Sequence, residues 1–517
     1  MNIHNTPEAA AADTISRALL PELMIQSSDL PAAVKAATRL LTNTGQIFDM
    51  AGFPVRVVTE PGAAVRIVPL SHHAVTMTLH HLCRPIQIND KGEKKPVTFP
   101  ERGAKMLVDT AEGFAKLDGV ANSPILSDDG TIRTAEGFDP ATRLWCSNIP
   151  NVRIPARPGK AEAEAALLKL RKVFETFPFA DSPRLTAHDL DVVDTTKPPG
   201  EAETALLCGL FTAICRASLP LAPGLVITAP EISGAGSGKG LLVQALCAIA
   251  FSSPPAAFTA GSEKTELDKR IASALMLAGP ALFLDNANSV ALRSDTLASV
   301  MTERPAWVRI FGQTKMAALN STAFIAITGN GLSVSEDLAR RFLACELDPK
   351  CDDPEARDFP QGRDAFLTSI KATRAELLAA VLTIWRWGRQ NLDALQRGEA
   401  FGSFEIWAEW VRDPLLTLGC TDPVAQISKA KARDPRRQRV AELFASWWQH
   451  HRSEPMRVAE LHDDVKAIAD PQGRGRQYLA TFLGKLDGTR AGDFVMTRQE
   501  AAGSWTGATY QLRPVEK

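Results

Sequence analysis

The sequence predicts an α/β protein: a parallel-sheet core with a phosphate-binding turn, a smaller α+β region before it, and a helical segment closing with a hairpin after it. Three observations predict this. Residues 201–350 alternate apolar strand-like runs with helical runs, at the spacing of an open parallel sheet. The glycine-rich segment Glu231-Ile-Ser-Gly-Ala-Gly-Ser-Gly-Lys-Gly240 lies between the first such strand and an apolar-faced helix. The last eighty or so residues read as three short helices followed by two strands.

Leu225-Val-Ile-Thr228 reads as a buried strand and Leu241-Leu-Val-Gln-Ala-Leu-Cys247 as the helix. A glycine-rich turn between them aims successive backbone N–H groups and the positive end of the helix at one point, where a phosphate is stabilised. Gly234, Ala235, Gly236, Ser237, Gly238, Lys239 and Gly240 form the candidate nucleotide cradle, with Lys239 reaching the terminal phosphates. The full pattern is G-x-x-x-x-G-K-[ST]. Here Ser233 stands at the first glycine, and Gly240 stands where a hydroxyl would hold Mg²⁺. Nucleotide binding and nucleotide hydrolysis are therefore separate expectations.

Further strands are expected at 256–260, 281–285, 322–328 and 341–347. Ala281-Leu-Phe-Leu-Asp-Asn286 is an apolar strand ending in a carboxylate, about forty-five residues beyond Lys239. Asp285 in that place suits a Mg²⁺ bound to the β- and γ-phosphates. Asn286 follows where an acid often activates water; an amide orients a water but cannot take its proton. Asn330 ends the next buried strand and is placed to orient the attacking water, or else simply caps an Asn-Gly turn. Asp337-Leu-Ala-Arg-Arg341 sets two guanidinium groups before the last strand. Arginine supplied across a subunit boundary stabilises charge in phosphoryl transfer. Adjacent side chains diverge, so at most one of Arg340 and Arg341 serves; an exposed ion-paired couple is the plainer alternative.

In this order the motifs resemble AAA+ helicases of phages, plasmids and mobile genetic elements, akin to superfamily 3 and to poxvirus-type primase-helicases. The resemblance rests on Gly234–Lys239, Phe283–Asn286, Ile327–Asn330 and Asp337–Arg341, and extends from about 110 to 425. It implies a ring-forming oligomer, usually a hexamer, that uses ATP and Mg²⁺ and translocates on single-stranded or forked DNA. Such proteins often carry a primase domain. The metal cluster of one is not evident in this sequence, so a separate primase or polymerase is implied as partner. An ATP-binding, weakly or non-hydrolysing assembly factor or transcription regulator is the alternative.

Trp307-Val-Arg-Ile-Phe-Gly-Gln-Thr-Lys-Met-Ala-Ala-Leu319 alternates around Gly312 and reads as a β-hairpin. In the resembling helicases such a hairpin lines the pore; Lys315, with Arg309, would supply charge to DNA phosphates. A solvated surface hairpin is the alternative.

The chain of 517 residues has a net charge of -1, so any polyanion must be bound locally. From Lys429 onward there is an excess of about five positive charges. The helices near 438–450, 456–468 and 475–486, with strands 494–498 and 508–512, follow the order of a winged helix. Arg474, Arg476, Gln477, Lys485 and Arg498 lie on or beside its third helix and wing, as phosphate contacts would. The segment 426–437 reads as a linker, giving a division into 1–45 (helical or flexible), 46–185 (α+β), 190–425 (ATPase with helical lid) and 438–517 (winged helix).

Eight scattered cysteines without a C-x-x-C pair suit a reducing cytoplasm and argue against a disulfide framework. The N-terminus lacks the basic start and apolar core of a signal peptide. No apolar run approaches the ~18 residues of a membrane span. A cytoplasmic protein without membrane partners is expected. His72-His73 and His80-His81 with Cys83 lack the spacing of a zinc site.

Overall fold

The computed structural model describes residues 20–515, apart from 61–64, 188–189, 260–263, 289–290, 310–315, 335, 352–353, 355–361, 426–434 and 500–507. The chain forms two compact units, Met1–Val424 and Ala425–Lys517.

In the first unit all five expected core strands form one parallel sheet. We label them β1 (Gly224–Ala229), β2 (Ala257–Thr259), β3 (Ala281–Asp285), β4 (Phe324–Asn330) and β5 (Phe342–Glu346). Their order across the sheet is β2-β3-β4-β1-β5, so β4 is inserted between the strand before the glycine-rich turn and the strand carrying Asp285. Parallel strands buried on both faces need continuous apolar runs. Leu225, Val226 and Ile227 of β1, and Phe324 to Ile327 of β4, are all buried. Each of the Val, Leu, Ile and Phe side chains among them contributes roughly 1.5–3 kcal/mol by leaving water.

The helix Glu201–Cys215 is buried almost throughout, and Gly209 lets it lie close against β1. A Cβ at Gly209 would come within 2.7 Å of the Leu225 side chain. The expected helical stretch 363–395 divides into Arg363–Ala372 and Arg374–Gln390, ending in a short turn of 3₁₀ helix.

Ahead of the sheet, Leu30–Thr42 is a helix begun by Asp29, whose carboxylate accepts from the Ala32 N–H at 3.2 Å, with Pro31 in the first turn. Three small three-stranded sheets and the helices His72–Leu82 and Glu101–Thr110 accompany it. One apolar cluster joins Phe48, Val55 and Val57 from this region to Leu282 and Leu284 of β3 and to Val308.

The second unit has helices Pro435–His451, Asp463–Ala469 and Arg476–Gly484 beside an antiparallel sheet of four strands. The helix expected over 456–468 is shorter than its pattern suggests. Met456-Arg457 pairs as a strand with Thr509-Tyr510, and the helix starts only at Asp463. Pairing with the terminal hairpin is a long-range contact that outweighs local helix propensity. Trp447 is fully buried in this unit's core with Leu443 and Leu512.

Candidate nucleotide and nucleic-acid sites

The glycine-rich turn runs from the end of β1 into the helix α1 (Lys239–Phe251). Gly236 and Gly238 adopt left-handed φ of 71° and 93°, conformations that favour glycine. Gly234 is required by space: a Cβ there would stand 2.2 Å from the Pro230 carbonyl oxygen and 2.7 Å from Asn330 Oδ1. Ser233 has no positive φ, which explains why a residue with a side chain is accepted at that place. Ala235 and Gly236 are exposed at the mouth, whereas Gly234, Ser237 and Lys239 are buried.

The Lys239 ammonium is held inside the turn. It donates to the Gly234 carbonyl at 2.6 Å and to Ser237 Oγ at 3.0 Å, and Ser237 Oγ itself donates to the Gly234 carbonyl at 2.9 Å. Burial pushes the Lys239 pKa below the usual lysine value, while the negative charge of Asp285 opposes that shift. Below the turn, a Cβ on Gly238 would press to 2.9 Å on the ring of Phe177, which packs in turn on Phe366 at 5.7 Å.

Asp285 and Asn330 end β3 and β4 at the same carboxyl edge of the sheet, where open α/β sheets place their ligands. Thr328 links the strands: its fully buried hydroxyl donates to Asp285 Oδ1 and accepts from the Asn286 N–H at 3.2 Å. Asn286 is exposed and left-handed, with φ 56°, a conformation asparagine tolerates better than most residues. Asn330 donates its backbone N–H to Asn288 Oδ1 at 2.7 Å, and its own buried Oδ1 has no hydrogen-bond partner among the described residues. A buried unpaired oxygen beside the turn has its polarity in reserve for a ligand or water.

Arg340 and Arg341 stand elsewhere. Both bond Asp337, but the Arg340 side chain is 56% exposed and that of Arg341 only 15%. The Arg341 carbonyl also accepts from the Gly224 N–H at 3.0 Å. Gly224 and Phe342 are paired at the amino end of β1 and β5, so both arginines lie at the edge opposite the glycine-rich turn. A six-residue strand spans about 20 Å, so neither guanidinium serves the nucleotide site of its own chain.

The expected hairpin is present as strands Ala306–Arg309 and Met316–Leu319. Ala306, Val308, Ala317 and Leu319 are buried, and Trp307, Arg309 and Met316 face outward. Lys315 lies outside the described residues. Trp307, 59% exposed, offers a ring for stacking that the hairpin pattern alone does not single out.

In the second unit, Arg476, Gln477, Lys485 and Arg498 line one cavity of about 480 Å³. Arg457 joins them from the short strand, a residue the helix-based reading did not select. Arg474 does not line this cavity; it donates to Gln472 Oε1 and its guanidinium sits over the Tyr478 ring at 4.8 Å.

No protein-family model matches the chain, and no curated protein matches it. A solved structure titled "SCCmec type IV Cch - active helicase" aligns over 90% of this chain and 91% of that one, at 12% identity and a TM-score of 0.29. A likeness of that size supplies no argument about function. Among the described residues no helix is long and apolar enough to cross a membrane.

Proposed function

We propose that this chain is a P-loop ATPase of the AAA+ kind that works as an oligomer on DNA, as a helicase or replication initiator of a mobile genetic element. The observation that carries the ATPase reading is one arrangement. Lys239 is buried in a glycine-rich turn, and Asp285 and Asn330 end the two neighbouring strands at the same edge. The insertion of β4 between β1 and β3 is what brings Asn330 beside Gly234. In this reading the amides of 234–240 and Lys239 hold the phosphates, and Asn330 orients the attacking water. Arg340, the exposed member of its pair, reaches a neighbouring subunit's nucleotide. The DNA contacts are Trp307 and Arg309 of the hairpin and the basic cavity of a C-terminal winged helix.

Asp285 is the residue that would hold Mg²⁺. An oxygen donor suits that ion, which keeps several waters when few carboxylates are offered. When bound, the ion neutralises charge on the phosphate oxygens.

A second reading, an ATP-binding assembly factor with little turnover, is favoured by Gly240 and Asn286, where a metal-binding hydroxyl and a general base are missing. ATP turnover with and without single-stranded DNA separates the two, comparing wild type with Lys239→Ala. Stimulated turnover that the substitution abolishes supports the motor. Tight ATP binding without turnover supports the assembly factor, and absence of ATP binding refutes both.

A further inference from the structure

The second unit carries a cluster that neither the nucleotide site nor the basic cavity uses. His450 lies in the last turn of the helix Pro435–His451, while His462 and Asp464 open the helix Asp463–Ala469. His450 Nε2 is 3.1 Å from Asp464 Oδ2, and His462 Nδ1 is 3.4 Å from the same oxygen. The two imidazole rings stack at 3.7 Å with their planes 7° apart. One ligand atom from each residue lies within 4.8 Å of the other two.

His462 Nδ1 accepts from the Asp464 N–H at 3.3 Å, so it turns a lone pair, not a proton, toward Asp464 Oδ2. A neutral His450 donates its Nε2–H to that oxygen, which still leaves the His462 lone pair facing the carboxylate. A single shared cation satisfies all three ligand atoms at once.

We propose that His450, His462 and Asp464 form a binding site for a divalent transition-metal ion, of which Zn²⁺ is the type. Two imidazoles and a carboxylate are a ligand set for this class, whereas Ca²⁺ and Mg²⁺ take all-oxygen sets. The backbone at His462 is fixed by its N–H, which donates to His451 Nε2 at 3.0 Å. The long bond that the His462 Nδ1 lone pair accepts from the Asp464 N–H, 3.3 Å, is one that a metal–nitrogen bond replaces. Asp464 and His462 are exposed and the His450 side chain is partly exposed, so an ion enters from solvent and waters complete its shell. Ligation turns the rings out of their stack, pointing each nitrogen at the ion, and ties the end of one helix to the start of the next.

The test is a Co²⁺ titration of the full chain, followed by its visible ligand-field bands and by competition with Zn²⁺. One equivalent is expected to bind. His450→Gln and Asp464→Asn are expected to weaken binding by roughly tenfold or more. Cys351→Ser, which removes the one cysteine that is not buried, is expected to leave it unchanged. Absence of ligand-field bands in wild type, or undiminished binding in the two variants, overturns the proposal. Should a variant fail to fold, ring resonances of His450 and His462 that do not move when Zn²⁺ is added to wild type overturn it equally.

Discussion

Gly240 faces Asp285: a Cβ at position 240 would stand 3.8 Å from Asp285 Oδ1, in ordinary contact and with no clash. A hydroxyl carried there would point toward the carboxylate proposed to hold Mg²⁺. Gly240→Thr is therefore expected to fit without rearrangement and to supply the metal with a second protein oxygen. ATP turnover should rise by roughly tenfold, equivalent to about 1.4 kcal/mol of transition-state stabilisation, and half-saturation by Mg²⁺ should fall. Steady-state assays across a Mg²⁺ series check both. Equal turnover in the variant would show that the missing hydroxyl does not limit the rate.

The buried Lys239 gives ATP binding a pH dependence. Burial lowers its pKa, with Asp285 opposing, so Lys239 loses its proton at a lower pH than a free lysine does. Its charge therefore fades below the ordinary lysine value of about 10.4. ATP affinity should fall along that alkaline limb. Lys239→Arg, which stays charged, should lose the limb even if binding at neutral pH weakens. Titrations of a fluorescent ATP analogue between roughly pH 7 and pH 10 measure this; a flat wild-type profile would count against Lys239 as a phosphate ligand.

Arg340 and Arg341 should separate into activity and stability. Arg340→Ala is expected to lower turnover by about a thousandfold or more, the scale of an arginine finger. Arg341→Ala, removing a mostly buried side chain from Asp337, should chiefly lower the melting temperature. Because both lie at the edge opposite the glycine-rich turn, mixing two inactive proteins is decisive. Arg340→Ala subunits keep an intact nucleotide site and Lys239→Ala subunits keep an intact finger, so mixed oligomers should regain part of the activity. No recovery in mixed oligomers would refute supply across the subunit boundary.

Much of the core was legible because its signals are local and periodic. Continuous apolar runs locate β1, β3 and β4, and the glycines at 236 and 238 mark the turn by conformational need, Gly234 by want of space. The order of the strands is not a local property, and neither is the placement of Arg340 at the far edge of the sheet. A threonine within an apolar strand reads as β-propensity; only the pairing of β3 with β4 reveals that the Thr328 hydroxyl serves Asp285. Arg457 escaped for a similar reason. Its segment carries helical periodicity, and the terminal hairpin draws it into a sheet instead.

Arg374 is buried and bonded to carbonyls instead of an acid. Its guanidinium donates to Ile249 and Ala250 at the end of α1, and to Asn122 and Asn148, at 2.8–2.9 Å. A cation at a helix C-terminus is favourable, and its removal strands several acceptors at once. Arg374→Met should destabilise the first unit by about 3 kcal/mol, read as a shift in denaturant midpoint. Turnover per folded molecule should stay unchanged under native conditions. A shift below about 1 kcal/mol would mean that water replaces the lost donors.

The basic cavity of the second unit makes a prediction about salt. Arg457, Arg476, Lys485 and Arg498 converge on it, and each phosphate neutralised by such a group releases a counterion. For duplex DNA, log affinity falls against log salt with a slope of about −0.9 per phosphate. Arg476→Ala and Lys485→Ala should each weaken binding of an arbitrary duplex and flatten that slope by about one. Arg474→Ala, whose guanidinium is occupied by Gln472 and Tyr478, should change the slope little. Anisotropy titrations over a salt series, run on two unrelated duplexes, provide the readout. Equal losses on both duplexes mark phosphate contacts, a loss confined to one marks base reading, and unchanged slopes in both variants would remove the cavity as a nucleic-acid site.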